Sequence, residues 1–301
     1  MKNEHAAGLW PVMLTPFTRD NEVDYASLER LIAWYEERGV DGLFADCQSS
    51  EIFFLSQKER VEIARFVKQH AHVPVIVSGH VSSAFSAQLE ELKAVAATGV
   101  DALILITNRL VHPGRPQDSM MPRVREIMKE IPGIPLGFYE CPYPFKRLIT
   151  LDELKECADS GRFAFMKDTC CDIRLIRERL KVLGGSGFGL YNANTTTCLD
   201  SVRAGAAGFS GVMLNFHPQL YRWMLDHTED PKADTVQSFL TVFSEIERQY
   251  YPVNAKYHQT EIEKVFSSPY TRVLPMEGLT ETFRTEVHHL HTAAGWLMNQ
   301  L

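Results

Sequence analysis

Gly39-Val40-Asp41-Gly42-Leu43 is echoed twice further along the chain, as Gly99-Val100-Asp101-Ala102-Leu103 and as Gly205-Ala206-Ala207-Gly208-Phe209. In each copy a glycine follows an amphipathic stretch, where a left-handed helix cap is wanted, and a small residue opens an apolar run. The recurrence is a weak internal repeat of helix-to-strand joints. Working outward, eight short apolar runs read as strands: Leu9–Phe17, Gly42–Asp46, Val75–Gly79, Ala102–Thr107, Leu136–Cys141, Phe163–Thr169, Phe188–Asn194 and Gly208–Leu214. They are continuous in hydrophobicity rather than alternating, as parallel strands covered on both faces are. Between them lie helical patterns. Tyr25–Arg38 carries Leu28, Leu31, Ile32 and Tyr35 at 3,4 spacing, and Ser56–His70 opens with the capping box Ser56-Gln57-Lys58-Glu59.

Eight alternating βα units over about 220 residues fit a (β/α)8 TIM barrel. A doubly wound sheet would carry a Gly-x-Gly-x-x-Gly turn after its first strand, and that strand here ends Thr15-Pro16-Phe17. The remainder reads as additional helices, Thr235–Gln249 and Thr280–Leu297 among them. The expected organisation is therefore an α/β barrel over residues 1–230 with a C-terminal helical extension over 231–301.

The chain has 301 residues, 31 Lys+Arg against 38 Asp+Glu, and a formal net charge of −7. That balance disfavours a general nucleic-acid binder, which needs a basic face. No apolar run is long enough to span a bilayer. Met1-Lys2-Asn3-Glu4-His5 has no apolar signal core, and six sparse cysteines without a Cys-x-x-Cys pair suit reduced thiols. The expectation is a cytoplasmic protein with no membrane and no nucleic-acid partner.

A barrel builds its site at the C-terminal ends of its strands. Lys167 ends the apolar run Phe163-Ala164-Phe165-Met166. An amine there loses hydration, its pKa falls, and its neutral form can condense with a carbonyl. The plainer alternative is a lysine that snorkels outward or pairs with Asp168. Tyr139 ends the preceding strand, either as a proton relay or as packing. Cys47-Gln48-Ser49-Ser50-Glu51 is a polar turn able to hold a carboxylate.

Together these residues resemble the dihydrodipicolinate synthase / N-acetylneuraminate lyase family of class I aldolases, along nearly the whole chain. The resemblance rests on Thr15-Pro16-Phe17 with Val23-Asp24, and on Gly39 through Glu51 followed by Leu55-Ser56-Gln57-Lys58-Glu59-Arg60. It continues in Tyr139-Glu140-Cys141-Pro142, Phe165-Met166-Lys167-Asp168-Thr169, Gly205 through Gly211, and Asn215-Phe216-His217-Pro218. It implies that Lys167 forms an iminium with pyruvate or a longer 2-oxo acid, and that Tyr139 relays protons. It further implies that Gln48, Ser49 and Ser50 hold the carboxylate and that Ser210 and Gly211 line the opposite wall. It implies no cofactor and no metal, an aldehyde as second reactant or product, and a homo-oligomer, dimer or tetramer.

The departures bear on substrate. Gln48 and Ser50 replace small residues of the family loop, and Ile106-Thr107-Asn108-Arg109-Leu110 lacks the synthases' tyrosine pair. Tyr143-Pro144-Phe145-Lys146-Arg147 lacks their Gly-Arg-Thr, with Lys146 and Arg147 read as a solvated pair. These changes point away from dihydrodipicolinate synthesis proper and toward another carbon–carbon lyase, with aromatic oxo acids or sugar acids in view. For sugar acids, Asn108, Glu140, Asn192 and Asn194 are candidate hydroxyl ligands, with Glu140 alternatively paired to Arg109. Dehydration of a 2-oxo-3-deoxy acid through the same enamine is the alternative. Two further classes are compatible with parts of the sequence. One is a metal-dependent barrel using His80, His112 and His217 near Asp46 and Glu140, although no His-x-x-x-His pair supports it. The other is a non-catalytic oxo-acid-binding homologue. His288-His289-x-His291 falls in the C-terminal helix, away from the expected site, as a solvated or interface group.

Overall fold

In the computed structural model, which describes residues 8–301, the eight predicted strands form one parallel sheet. The opening Met1–His5 lies outside the described residues. The strands are β1 Gly8–Leu9, β2 Leu43–Ala45, β3 Val75–Val77, β4 Ala102–Ile106, β5 Leu136–Tyr139, β6 Phe163–Asp168, β7 Gly189–Asn192 and β8 Gly208–Phe209. Their order is β1-β8-β7-β6-β5-β4-β3-β2, every ladder parallel. A parallel bridge between Val12 and Phe44 brings the two ends together, with Met13 N–H donating to Phe44 O at 2.9 Å. The ring of strands is the TIM barrel expected from the alternation.

β1 is shorter than the apolar run Leu9–Phe17 because Pro11 and Pro16 have no N–H to give a ladder. β8 stops at Phe209, and Val212–Asn215 forms a 3₁₀ turn instead. A short buried apolar run has no period that separates strand from helical turn. Where β8 meets β1, a Cβ on Gly208 would lie 1.9 Å from Gly8 O, so only glycine closes the ring there.

The outer helices are α1 Tyr25–Glu36, α2 Gln57–His70, α3 Phe85–Ala96, α4 Met121–Glu130, α5 Leu151–Asp159, α6 Ile173–Leu183, α7 Cys198–Arg203 and α8 Pro218–Asp226. Beyond them run α9 Ala233–Phe243, α10 Val253–Tyr257 and α11 Glu281–Met298. The capping box at Ser56 and Glu59 is formed, which stabilises the start of α2 by about 1 kcal/mol. Gly39, Gly99 and Gly205 sit at φ of 74°, 83° and 103°, the left-handed conformation the three joints required.

Two apolar clusters result. One fills the layer between strands and helices, and a smaller one plugs the barrel bore with Val12, Phe44, Ile76, Ile104 and Phe165. Phe165 stacks on Tyr191 at 4.2 Å and meets Trp10 edge-on at 5.2 Å. This plug forms the floor on which the site is built. None of the described helices is long and apolar enough to cross a membrane.

Candidate active site

Tyr139 and Lys167 are partners in the β5–β6 register, so both side chains leave the same face of the sheet at its C-terminal end. There they enter a cavity of about 520 Å³. Lys167 is buried, with its Nζ 4.7 Å from the Tyr139 ring centroid and 6.0 Å from that of Phe44. Among the described residues no carboxylate pairs with it. Burial against this aromatic floor lowers its pKa from 10.5 to about 8, with small opposing influences from Cys47, Cys141 and Glu247. Near neutral pH the fraction of neutral amine rises by roughly two orders of magnitude. Burial also raises the Tyr139 phenol well above 10, so it stands as a neutral O–H. Its oxygen lies 3.4 Å from Gln48 Oε1.

Strand period two sends the next residues the other way. Glu140 and Asp168 point out of the bore and are both gripped by Arg179 of α6. All three are fully buried. Glu140 also accepts from the N–H groups of Ile149 (2.8 Å) and Thr169 (3.1 Å). Asp168 is thus the guanidinium's partner and not the lysine's. Glu140 does not line the cavity and does not pair with Arg109, whose guanidinium lies over the Phe53 ring at 4.8 Å.

The turn after β2 is a 3₁₀ helix, Gln48–Ser50. Gln48 and Ser49 line the cavity, but Ser50 does not. Its hydroxyl donates to Met13 O at 2.6 Å and accepts from Cys47 N–H at 3.1 Å, holding the turn to the β1 segment. On the far wall Gly211 lines the cavity, whereas Ser210 is fully buried and does not line it. Of the four candidate hydroxyl ligands only Asn194 reaches the cavity. The Asn108 amide holds three loop carbonyls, those of Cys141, Tyr143 and Phe145. Asn192 binds Thr197 and Ser201.

The expected solvated pair divides. Lys146 stands at the cavity rim and donates to Thr169 O at 2.7 Å. Arg147 is buried in a two-pronged pair with Glu153 of the α5 capping box. His80, His112 and His217 do not converge. His80 is buried between Gln88 and the Ile106 N–H, His112 is exposed, and none lines the cavity.

Four of the described cavity residues come from the C-terminal extension, Glu247, Tyr251, Pro252 and Val273. Neither of the two with polar side-chain groups, Tyr251 and Glu247, was legible as a site residue in the sequence. Tyr251 donates its hydroxyl to Ser49 Oγ at 2.7 Å and accepts from Asn215 Nδ2 at 3.2 Å. Glu247 lines the wall, and burial raises its pKa to about 7, against the lowering influence of Lys167. The one available signal was Tyr250-Tyr251-Pro252, an aromatic pair and a proline interrupting a helical pattern.

A buried amine with no ion-pair partner among the described residues, beside a phenol at the mouth of a parallel barrel, is an arrangement suited to carbonyl condensation. The model of the Dihydrodipicolinate synthetase family matches residues 5–294. The chain belongs to that family. Members of the dihydrodipicolinate synthetase family are lyases of the Schiff-base aldolase type, and this enzyme is one of them. It is 25% identical over 239 residues to N-acetylneuraminate lyase of Escherichia coli O1:K1, across 78% of each chain. In fold it is similar to a dihydrodipicolinate synthase of Bacillus anthracis (TM-score 0.84, 20% identity, 96% and 98% of the two chains covered). It is equally similar to the Acinetobacter baumannii dihydrodipicolinate synthase solved with pyruvate (TM-score 0.84, 21% identity, 97% and 99% covered).

Proposed function

We propose that this family member is a carbon–carbon lyase in which Lys167 carries a 2-oxo acid, pyruvate or a longer homologue, as an iminium. The observation that carries this reading is the unpaired, buried Lys167 amine with its pKa lowered to about 8, beside Tyr139 in the cavity. The neutral amine adds to the ketone carbon. The carbinolamine then loses water, with the Tyr139 O–H donating to the departing oxygen. Where the bound acid carries a hydroxyl on C4, that hydroxyl gives up its proton and the C3–C4 bond breaks. Its electron pair passes into the C=N⁺ to leave the enamine of pyruvate, and C4 departs as an aldehyde. Reprotonation at C3 and hydrolysis return the oxo acid and free Lys167. In the reverse direction the enamine formed from pyruvate adds to an aldehyde.

In this reading Ser49 receives the carboxylate. Its Oγ already accepts from Tyr251, so its own hydrogen is left to point at the ligand. Gln48 and Gly211 line the same space, and Glu247, titrating near neutrality, takes the C4 hydroxyl proton. The named relatives, a lyase and synthases, favour carbon–carbon chemistry over dehydration. None of these steps calls on a metal or cofactor. Cytoplasmic location, homo-oligomeric assembly, and a division into a barrel over 1–230 and an extension over 231–301 belong to the same reading.

The test is intact mass after borohydride reduction in the presence of pyruvate and then longer 2-oxo acids. A reduced adduct on the native enzyme, absent in Lys167→Ala, is expected. No adduct with any oxo acid in the panel would overturn the reading.

A further inference from the structure

His258, Glu263 and His291 meet where the C-terminal extension packs against α1. His258 Nε2 and His291 Nδ1 each stand 3.8 Å from Glu263 Oε1, and the three atoms lie within 4.8 Å of one another. We propose that these three residues form a site for a first-row divalent transition metal, zinc foremost, that clips α11 to the turn following α10.

The local backbone explains the convergence. Residues His258–Ile262 form a π-helical turn, closed by Glu263 N–H donating to His258 O at 3.0 Å. In an α-helix, residues five apart diverge by about 140°. The wider π turn stacks them on one side, and such turns recur at functional sites. Glu263 is then oriented from behind. Its Oε2 accepts from Trp34 Nε1 at 2.7 Å and Arg38 Nη2 at 2.8 Å, which leaves Oε1 facing the two imidazoles. Outer partners of this kind fix a metal-binding carboxylate.

The spacing separates an ion from a proton. Hydrogen-bonded imidazole and carboxylate sit at about 2.7–3.0 Å. Ligands around a tetrahedral zinc, with bonds near 2.0–2.1 Å, sit about 3.3–3.5 Å apart. At 3.8 Å both contacts are too long for hydrogen bonds and within about half an ångström of the metal spacing. His258 is 1% exposed, so an ion held at its Nε2 is shielded from bulk water on that side. His291 is half exposed, which gives an ion an entry path and leaves its remaining positions to water. Two imidazoles and one carboxylate suit zinc, nickel or cobalt rather than magnesium or calcium, which take oxygen ligands.

The clip is structural rather than catalytic, since none of its ligands lines the active-site cavity. It still bears on that cavity's wall. Gln259, next to His258, donates to Asn215 O, and Asn215 in turn holds Tyr251.

The test uses the full chain, stripped with a chelator and dialysed, then titrated with Co²⁺ by visible absorption and with Zn²⁺ and Mg²⁺ by thermal melting. One saturable equivalent of cobalt displaced by zinc, and a Tm raised by zinc but not magnesium, is expected. His291→Ala should weaken binding at least tenfold and abolish the zinc-dependent rise with little change in the metal-free Tm. His289→Ala, an exposed neighbour, should behave as wild type. Absence of a saturable equivalent, or unaltered binding by His291→Ala, would overturn the site. Loss of Lys167 adduct formation on stripping would overturn its purely structural role.

Discussion

The hydroxyl of Tyr251, from the C-terminal extension, donates to the Oγ of Ser49, at the end of the second barrel strand, over 2.7 Å. Asn215 Nδ2 donates to the same phenol oxygen, so the Tyr251 hydrogen is directed one way and Ser49 is left as a donor toward the cavity. A serine that would otherwise rotate freely is thereby oriented by residues about 200 positions away in sequence.

Tyr251→Phe removes that orienting bond without removing the ring. A neutral hydrogen bond contributes about 0.5–1.5 kcal/mol, so half-saturation by the 2-oxo acid in borohydride trapping should rise about three- to tenfold. The saturated rate of adduct formation should change far less. An unchanged half-saturation would remove Ser49 from carboxylate binding.

Lys167→Met should abolish the adduct and also stabilise the fold. The lysine's folded pKa, about 8, lies below its unfolded value of 10.5. Between those values the unfolded chain binds more protons, so stability rises with pH from about 8 to 10.5 and is lower below it. Near pH 7 the substitution should recover on the order of 3 kcal/mol, fading above pH 10. Urea unfolding of both proteins at pH 7 and pH 10 measures it, and equal stability at both would contradict a buried, depressed amine.

Glu247→Gln addresses the acid–base step apart from iminium formation. The wild-type cleavage rate should carry an ionisation near pH 7, matching the raised carboxyl. The variant should lose that limb and about a hundredfold in turnover while still forming the trapped adduct. Retention of the ionisation would assign it to another group.

Arg179 stands between two fully buried carboxylates. Arg179→Met leaves Glu140 and Asp168 unpaired in the interior and should cost about 3–5 kcal/mol in chemical denaturation. Glu140→Gln removes one of the two negative charges and keeps one acceptor oxygen, which serves either Ile149 or Thr169 while the amide NH2 faces the other N–H. It should cost less, about 1–3 kcal/mol. A similar cost for both would mean that charge pairing under the Tyr139–Lys167 pair is of little consequence.

Period and punctuation in the sequence determined the eight strands, the left-handed glycines at 39, 99 and 205, the Ser56 cap, and the position of Lys167 beside Tyr139. These follow from local rules: side chains alternate along a strand, and a helix ends where a residue accepts positive φ. The same rules place Glu140 on the face opposite Tyr139 but could not say what shares its pocket, and so Arg179 was invisible. The roles of Ser50 and Asn108 were not legible either, because a polar residue in a turn looks alike whether it faces a cavity or a backbone carbonyl. Tyr251, Glu247 and the meeting of His258 with Glu263 and His291 were decided by tertiary structure alone. Packing the extension against the barrel joins residues distant in sequence, and burial then sets which amine is neutral and which carboxyl keeps its proton.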